Sequence, residues 1–238
     1  MNILVCNDDG YNAEGIKLLK RHLEKYGNVY LIGPKHHQSG ASHSINIHGP
    51  LEFDKFGPNE YYVDSSPADC VRVSKLLNKK IDLVVSGVND GLNLGTDVIY
   101  SGTISGAREA VIEDIPGIAI STDFGAFQIV EDELDMVLDF IFVNKLYSNE
   151  YVLNVNFPTE KHKKSKGIKI ARQGVKIFDT HYKLVDGKAH VEYDIYKTSQ
   201  EDDTDVYLAN EGYITIVPLG LDSTLMPKYK ELKEKYDK

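Results

Sequence analysis

Asn2-Ile3-Leu4-Val5-Cys6-Asn7-Asp8-Asp9-Gly10 is the stretch that decides the fold class. Ile3 to Cys6 is a short continuous apolar run, the pattern of a strand buried on both faces. It breaks at once into Asn7-Asp8-Asp9-Gly10. Two adjacent carboxylates at a strand end repel each other and lose hydration without a counter-charge. A hard divalent cation answers both problems, because Mg²⁺, Mn²⁺ and Ca²⁺ take oxygen ligands. The alternative is a solvated Asx turn that caps the next helix.

Outward from this stretch, strands and helices alternate. Residues 13–26 carry Ile16, Leu19, Leu23 and Tyr26 at helical spacing and stop at Gly27. Residues 29–32 read as a second strand, 67–78 as a helix opened by Pro67, and 81–85 as a third buried strand. Residues 102–113 predict a helix, 118–120 a fourth strand, 127–143 an amphipathic helix and 152–155 a fifth strand. Such alternation implies an α/β fold with a mostly parallel sheet and helices on both faces. Ligands of such sheets bind beyond the carboxyl ends of the strands.

The second half differs. Residues 168–217 are strand-like, with no helix expected. Asp186-Gly187 suits a type I′ hairpin turn, and Val191, Tyr193 and Ile195 alternate after it. A hairpin this long is expected to protrude and grip a partner subunit. Residues 200–205 read as an acidic turn, and 225–236 as a closing helix with Met226, Tyr229, Leu232 and Tyr236 on one stripe. The chain therefore divides into a catalytic core, 1–160, and a C-terminal hairpin and oligomerisation extension with its closing helix, 161–238, within one domain.

The 238 residues carry a formal net charge of −9, which argues against nucleic-acid and anionic-membrane binding. An anionic substrate then needs a local cation to reverse the sign at the site. Cys6 and Cys70 sit in apolar periodic segments and read as buried thiols. The N-terminus lacks a basic region, and no apolar run approaches the ~18 residues of a membrane span. A cytoplasmic protein without membrane contact is expected.

Three loops carry the chemistry. Asn7 to Gly10 follows the first strand. Gln38-Ser39-Gly40-Ala41-Ser42 follows the second, where a Ser hydroxyl can ligate a metal or donate to phosphate. Ser86-Gly87-Val88-Asn89-Asp90-Gly91-Leu92-Asn93-Leu94-Gly95 follows the third, with Asn side chains as neutral oxygen ligands or amide donors. No Gly-Lys-Ser/Thr follows, so this is no P-loop. Tyr100-Ser101-Gly102-Thr103 then opens a helix whose N-terminus can cap itself or take a phosphate. His36, His37, His43 and His48 lack the spacing of a zinc site and are expected to pack or sit in loops, with one able to donate to a phosphate.

These motifs resemble the SurE (survival protein E) family. NDDG, QSGAS, SGVNDGLNLG and DVIYSGTISGAREA followed by IPGIAIS occur in family order, with Ser66-Pro67-Ala68-Asp69-Cys70-Val71 between them. The match is dense over 1–123 and looser over 200–222, where DTDVYLANEGYITIVPLGLD stands. The resemblance implies a Rossmann-like three-layer fold with a β-rich C-terminal extension that builds homodimers or homotetramers. It implies a metal-dependent 5′/3′-nucleotidase, with short polyphosphate a further substrate in some members. It places one Mg²⁺ or Mn²⁺ per subunit on Asp8, Asp9, Ser39 and Asn89, and the phosphate on Asn93, Ser101, Gly102 and Thr103. Ser65 stands where Gly is expected, and the hairpin around 180–197 lacks the family's Trp- and Gly-rich pattern.

On this reading a cation polarises the phosphate and activates water, and Asp8 or Asp9 accepts a proton or attacks the phosphorus. A signalling receiver domain is the rival with a similar acidic pair. It needs an Asp at the end of the third strand, where Val84-Val85-Ser86 stands. A nucleotide-sensing module that keeps the site but turns over poorly is the other alternative.

Overall fold

The computed structural model describes residues 1–237. In chain order the elements are β1 (Asn2–Cys6), α1 (Glu14–Leu23), β2 (Asn28–Pro34), β3 (Phe53–Gly57), β4 (Glu60–Val63), α2 (Pro67–Val73), β5 (Leu83–Asp90), α3 (Gly102–Ile112), β6 (Gly117–Thr122), α4 (Phe127–Val143), β7 (Val152–Asn156), β8 (Ile168–Ile170), β9 (Lys176–Val185), β10 (Lys188–Thr198), α5 (Asp205–Asn210), β11 (Ile214–Leu219) and α6 (Met226–Tyr236).

The apolar run at 3–6 forms β1 near the middle of a nine-stranded sheet ordered β3-β4-β2-β1-β5-β6-β7-β11-β8. The strands from β4 to β7 run parallel, and β3 and β11 are antiparallel to their neighbours β4 and β7. Side chains alternate across the sheet. Ile3 and Val5 join Ile16 and Leu19 of α1 and Leu134 and Leu138 of α4 on one face. Leu4 and Cys6 join Cys70 and Val71 of α2 and Ala110 of α3 on the other. Each such fully buried side chain contributes about 1.5–3 kcal/mol of burial free energy. The result is the expected three-layer, Rossmann-like architecture. Cys6 and Cys70 are buried free thiols, and burial pushes the Cys6 thiol up to about 12.

The expected hairpin is present as β9 and β10, a separate antiparallel pair with almost every residue exposed. Asp186 and Gly187 take φ of 50° and 72° at its tip, the left-handed pair that a type I′ turn requires. No helix among the described residues is long and apolar enough to cross a membrane. The α6 stripe of Met226, Tyr229, Leu232 and Tyr236 lies exposed, and no residue of that helix is buried.

Four expectations need correction. The strand expected at 81–85 runs from Leu83 to Asp90, so the Ser-Gly-Val-Asn-Asp segment is strand and not loop. A register shift against β6 between Ser86 and Asn89 gives β5 one extra residue there, and such a bulge re-aims side chains. The helix expected at 67–78 is α-helical only to Val73 and tightens into a 3₁₀ turn over Ser74–Leu77. A helix, α5, occupies 205–210 where none was expected, and Asp205 is its first residue, not the end of an acidic turn. Finally, β3 and β4 form an unforeseen sheet edge, their Phe53-Asp54-Lys55-Phe56 pattern being mostly exposed.

Candidate active site

Three segments meet above β2, β1 and β5 because these strands are neighbours in the sheet. Asn7 holds the turn after β1 by donating from Nδ2 to the Gly10 carbonyl at 3.0 Å. The Asp8 carbonyl accepts from the Gln38 N–H at 2.7 Å and so ties the loop after β2 to the end of β1. Asp8 itself is buried. Its Oδ1 accepts from the Thr103 hydroxyl at 2.6 Å, and that hydroxyl lies 3.3 Å from Asn89 Oδ1. Asn89 donates from Nδ2 to the Gly91 carbonyl at 2.6 Å, so its oxygen is the end turned toward Asp8 and Thr103.

Asp9 accepts from the Asp90 N–H at 3.2 Å through Oδ2. His37 Nε2 lies 3.3 Å from Asp9 Oδ1 and 3.1 Å from the Ser39 hydroxyl. Ser39 is thus linked to the acidic pair through His37. That histidine stands at the site, not in a packing role, whereas His43 packs against Glu109 at 2.7 Å as expected.

Ser101 caps α3, accepting from the Ile104 N–H at 3.1 Å, which leaves its hydroxyl hydrogen available to donate. Gly102 and Thr103 open the helix, where backbone N–H groups have no intrahelical acceptor. Gly102 is required by space: a Cβ there would stand 2.8 Å from Asp8 Cβ. Asn93 is held by a buried set of amides. Its N–H donates to Asn156 Oδ1 at 2.8 Å, its Nδ2 to the Ser121 hydroxyl at 2.8 Å, and its carbonyl accepts from Asn154 and Asn156 at 2.9 and 3.2 Å.

Asp8, Ser39, Asn89, Asn93 and Ser101 line one cavity of about 510 Å³. Asp9, Gly102 and Thr103 touch those lining residues. Asp90, Asp97, Phe124, Lys176 and Phe178 line the same cavity and were not anticipated. Lys176 and Phe178 reach it from the base of the hairpin arm, where Lys176 pairs with Asp97 at 2.7 Å. Ser65, a departure from the family pattern, donates to Asp69 at 2.6 Å, a bond that glycine could not make. Asp69 also accepts from the Asn46 N–H at 2.7 Å and so steadies the loop after β2.

Residues 3–180 match the sequence profile of the family described as Survival protein SurE. The chain belongs to the SurE family. A 5′-nucleotidase SurE of Clostridium botulinum (strain Alaska E43 / Type E3) is 36% identical, with 100% of both chains covered. A 5′-nucleotidase SurE of Clostridium beijerinckii is 38% identical over 94% of each chain. The solved SurE protein from Aquifex aeolicus superposes with a TM-score of 0.83 at 36% identity, covering 99% of each chain.

The electrostatics of this SurE site follow from burial. Desolvation raises the Asp8 carboxyl above the usual range, the Thr103 hydroxyl opposes that rise, and Asp9 adds to it. Desolvation also raises Asp9, with the Asp90 N–H and His37 opposing. Burial thus disfavours the charged form of both acids, and a cation beside them would favour it. Among the described residues no group of three or more His, Cys, Asp or Glu is placed to hold a metal. The donors at hand are two carboxylates, an oriented amide oxygen and a hydroxyl. That all-oxygen set suits a hard divalent cation.

Proposed function

We propose that this SurE chain is a divalent-metal-dependent nucleotidase that hydrolyses nucleoside 5′-monophosphates, and 3′-monophosphates as well, to nucleoside and phosphate. Short polyphosphate is a further proposed substrate. One observation carries the reading. The buried Asp8 carboxylate, the partly exposed Asp9 beside it, the Asn89 oxygen and the α3 N-terminus lie together at the carboxyl ends of adjacent strands. The end-to-end likeness to relatives named 5′-nucleotidases supports the enzyme class.

Asp8, Asp9, Ser39 and Asn89 would hold one Mg²⁺ or Mn²⁺. When bound, such a cation supplies Lewis-acid polarisation of the phosphate and lowers the pKa of water. The chain's own groups do the rest. The first N–H groups of α3 and the Ser101 hydroxyl take charge on the phosphate oxygens, and Asn93 offers its amide. Asp8 is locked by Thr103. Asp9, with 15% of its side chain exposed, is better placed to accept the proton of the attacking water. The water oxygen bonds to phosphorus, the bond to the nucleoside oxygen breaks, that oxygen takes a proton from solvent and leaves as the alcohol, and Asp9 returns its proton to solvent. We assign 1–160 to this chemistry. We assign 161–238 to the extension that pairs subunits into a homodimer or homotetramer, in keeping with the uncovered apolar stripe of α6.

The test is phosphate release from a panel of 5′- and 3′-nucleoside monophosphates by chelator-stripped protein. Mg²⁺ or Mn²⁺ is then restored, with Asp8→Asn alongside. Release that requires metal and vanishes in the variant is expected. Wild-type turnover by folded Asp8→Asn would sink the scheme, and nucleotide binding without turnover would favour a sensing module.

A further inference from the structure

Phe124 is 75% exposed, yet the loop that carries it is tied down. Asp123 accepts from the Phe124 N–H at 3.0 Å through Oδ1 and from the Glu160 N–H at 2.9 Å through Oδ2. Asp90 accepts from the Gly125 N–H at 2.7 Å, and the Ala126 N–H returns to the Asp123 carbonyl at 3.0 Å. Loop tips that serve only as connections tend to be small, polar and loosely held. This one presents a large apolar ring from a braced backbone.

The ring rests against Gly91. A Cβ at Gly91 would stand 3.2 Å from Phe124 Cζ, and Gly91 also has a φ of +142°, so glycine alone suits both the backbone and the contact. The close approach puts Phe124 on the wall of the same 510 Å³ cavity as Asp8, Asn89 and Asn93. Phe178 lines the cavity too, but its ring is already engaged. The Lys176 ammonium lies 5.0 Å from its centroid, and Tyr193 meets it edge-on at 6.2 Å.

A phosphate and a ribose are satisfied by polar donors and acceptors. The base is the part of a nucleotide that calls for a flat apolar partner. We propose that Phe124 is the platform on which the base stacks while α3 and the acidic pair hold the phosphate, a proposal that rests on the nucleotidase reading above. Every base has a π-face, so this contact favours larger rings without reading base edges. Purine nucleotides gain more from it than pyrimidine nucleotides.

The test compares kcat/KM for adenosine 5′-monophosphate with that for ribose 5-phosphate, which keeps sugar and phosphate but lacks the base. Wild type, Phe124→Ala, Phe124→Leu and Phe124→Trp are assayed in the same metal. The ratio of the two values is expected to fall about tenfold in Phe124→Ala, chiefly through KM, the size of one base–aromatic contact. Leucine keeps apolar bulk without a π-face and is expected to follow alanine, whereas tryptophan is expected to hold the wild-type ratio. An unchanged ratio in Phe124→Ala, or an equal loss in Phe124→Trp, would overturn the platform and leave the nucleotidase reading standing. Wild-type protein that splits no nucleotide would overturn both.

Discussion

Replacing Gly102 by alanine probes the close approach of α3 to β1 on which the site depends. The added Cβ would stand 2.8 Å from Asp8 Cβ, 2.9 Å from Asp8 Oδ2 and 3.2 Å from the Gln38 carbonyl oxygen. Favourable contact begins near ~3.5 Å, so the helix N-terminus must retreat by roughly 0.7 Å. Asp8 cannot give way instead. Thr103 holds its carboxyl at 2.6 Å, and the strand behind it, Ile3 to Cys6, is fully buried. Two effects oppose each other in stability. Overpacking costs about 1–3 kcal/mol, and alanine's better helix propensity returns up to about 1 kcal/mol. The net loss is about 0–3 kcal/mol, which lowers Tm by no more than about 12 °C in a chain of this size. Activity is the more sensitive readout, because a shift approaching 1 Å moves the Gly102 and Thr103 N–H groups off the phosphate and costs about 10²-fold. Phosphate release at saturating metal gives kcat/KM, and thermal melts of the same samples give Tm. A folded Gly102→Ala protein with wild-type kcat/KM would refute the role assigned to this approach.

Asp8→Asn should stabilise the metal-free protein while abolishing turnover. Burial raises the Asp8 carboxyl in the folded state, so the fold holds that proton to higher pH than the unfolded chain does. Ionising Asp8 therefore costs stability as pH rises through its folded pKa, and nothing below its unfolded value near ~3.9. A higher Tm is expected for the variant at pH 7 in chelator, the gain shrinking toward pH 4. An equal or lower Tm at pH 7 would count against it. Asn156→Ala removes the acceptor of the Asn93 N–H and one of the two donors to the Asn93 carbonyl, all buried, at an expected cost of about 1–3 kcal/mol in denaturant melts. If Asn93 serves the phosphate, kcat/KM should fall about tenfold beyond any loss of folded protein, by analogy with the cost of a misplaced contact group. Unchanged kinetics would show that Asn93 does not need this support.

What the sequence disclosed and what it hid follow from the range of the signals. Ile3 to Cys6 and the stripe of α4 are legible because burial on fixed faces imposes a period on neighbouring residues. The acidic pair is legible because adjacent carboxylates at the end of a buried strand demand an explanation wherever the chain folds. Asn89 reads as a loop residue from sequence because its Gly- and Asn-rich surroundings imitate a turn, and only pairing with β6 reveals the bulged strand. The pair β3 and β4 lies at an exposed edge, where no strict alternation is enforced. The helix α5 has six residues, too few for a helical period to register. Lys176 and Phe178 reach the cavity from the hairpin base by tertiary contact alone, and Phe124 is a single aromatic in a turn.

The charge of the cavity wall bears on the metal. Asp8, Asp90, Asp97 and Asp123 line it, against Lys176 and His37. Lys176 is spent on Asp97, its partner at 2.7 Å. A phosphate held at the α3 N-terminus would meet the Asp8 carboxylate directly, since Gly102 packs on that side chain. Two unit charges of like sign at 4 Å repel by about 4 kcal/mol at an effective dielectric of 20. The helix offers only about half a positive charge, enough to offset roughly half of that. Protonating Asp8 would relieve the repulsion but remove a carboxylate that the proposed metal site uses. A divalent cation between the acidic pair and the phosphate would relieve it without protonation and supply a counter-charge to both carboxylates. By the same arithmetic a chain of net charge −9 would take an anionic substrate through a bound cation that reverses the sign within one site.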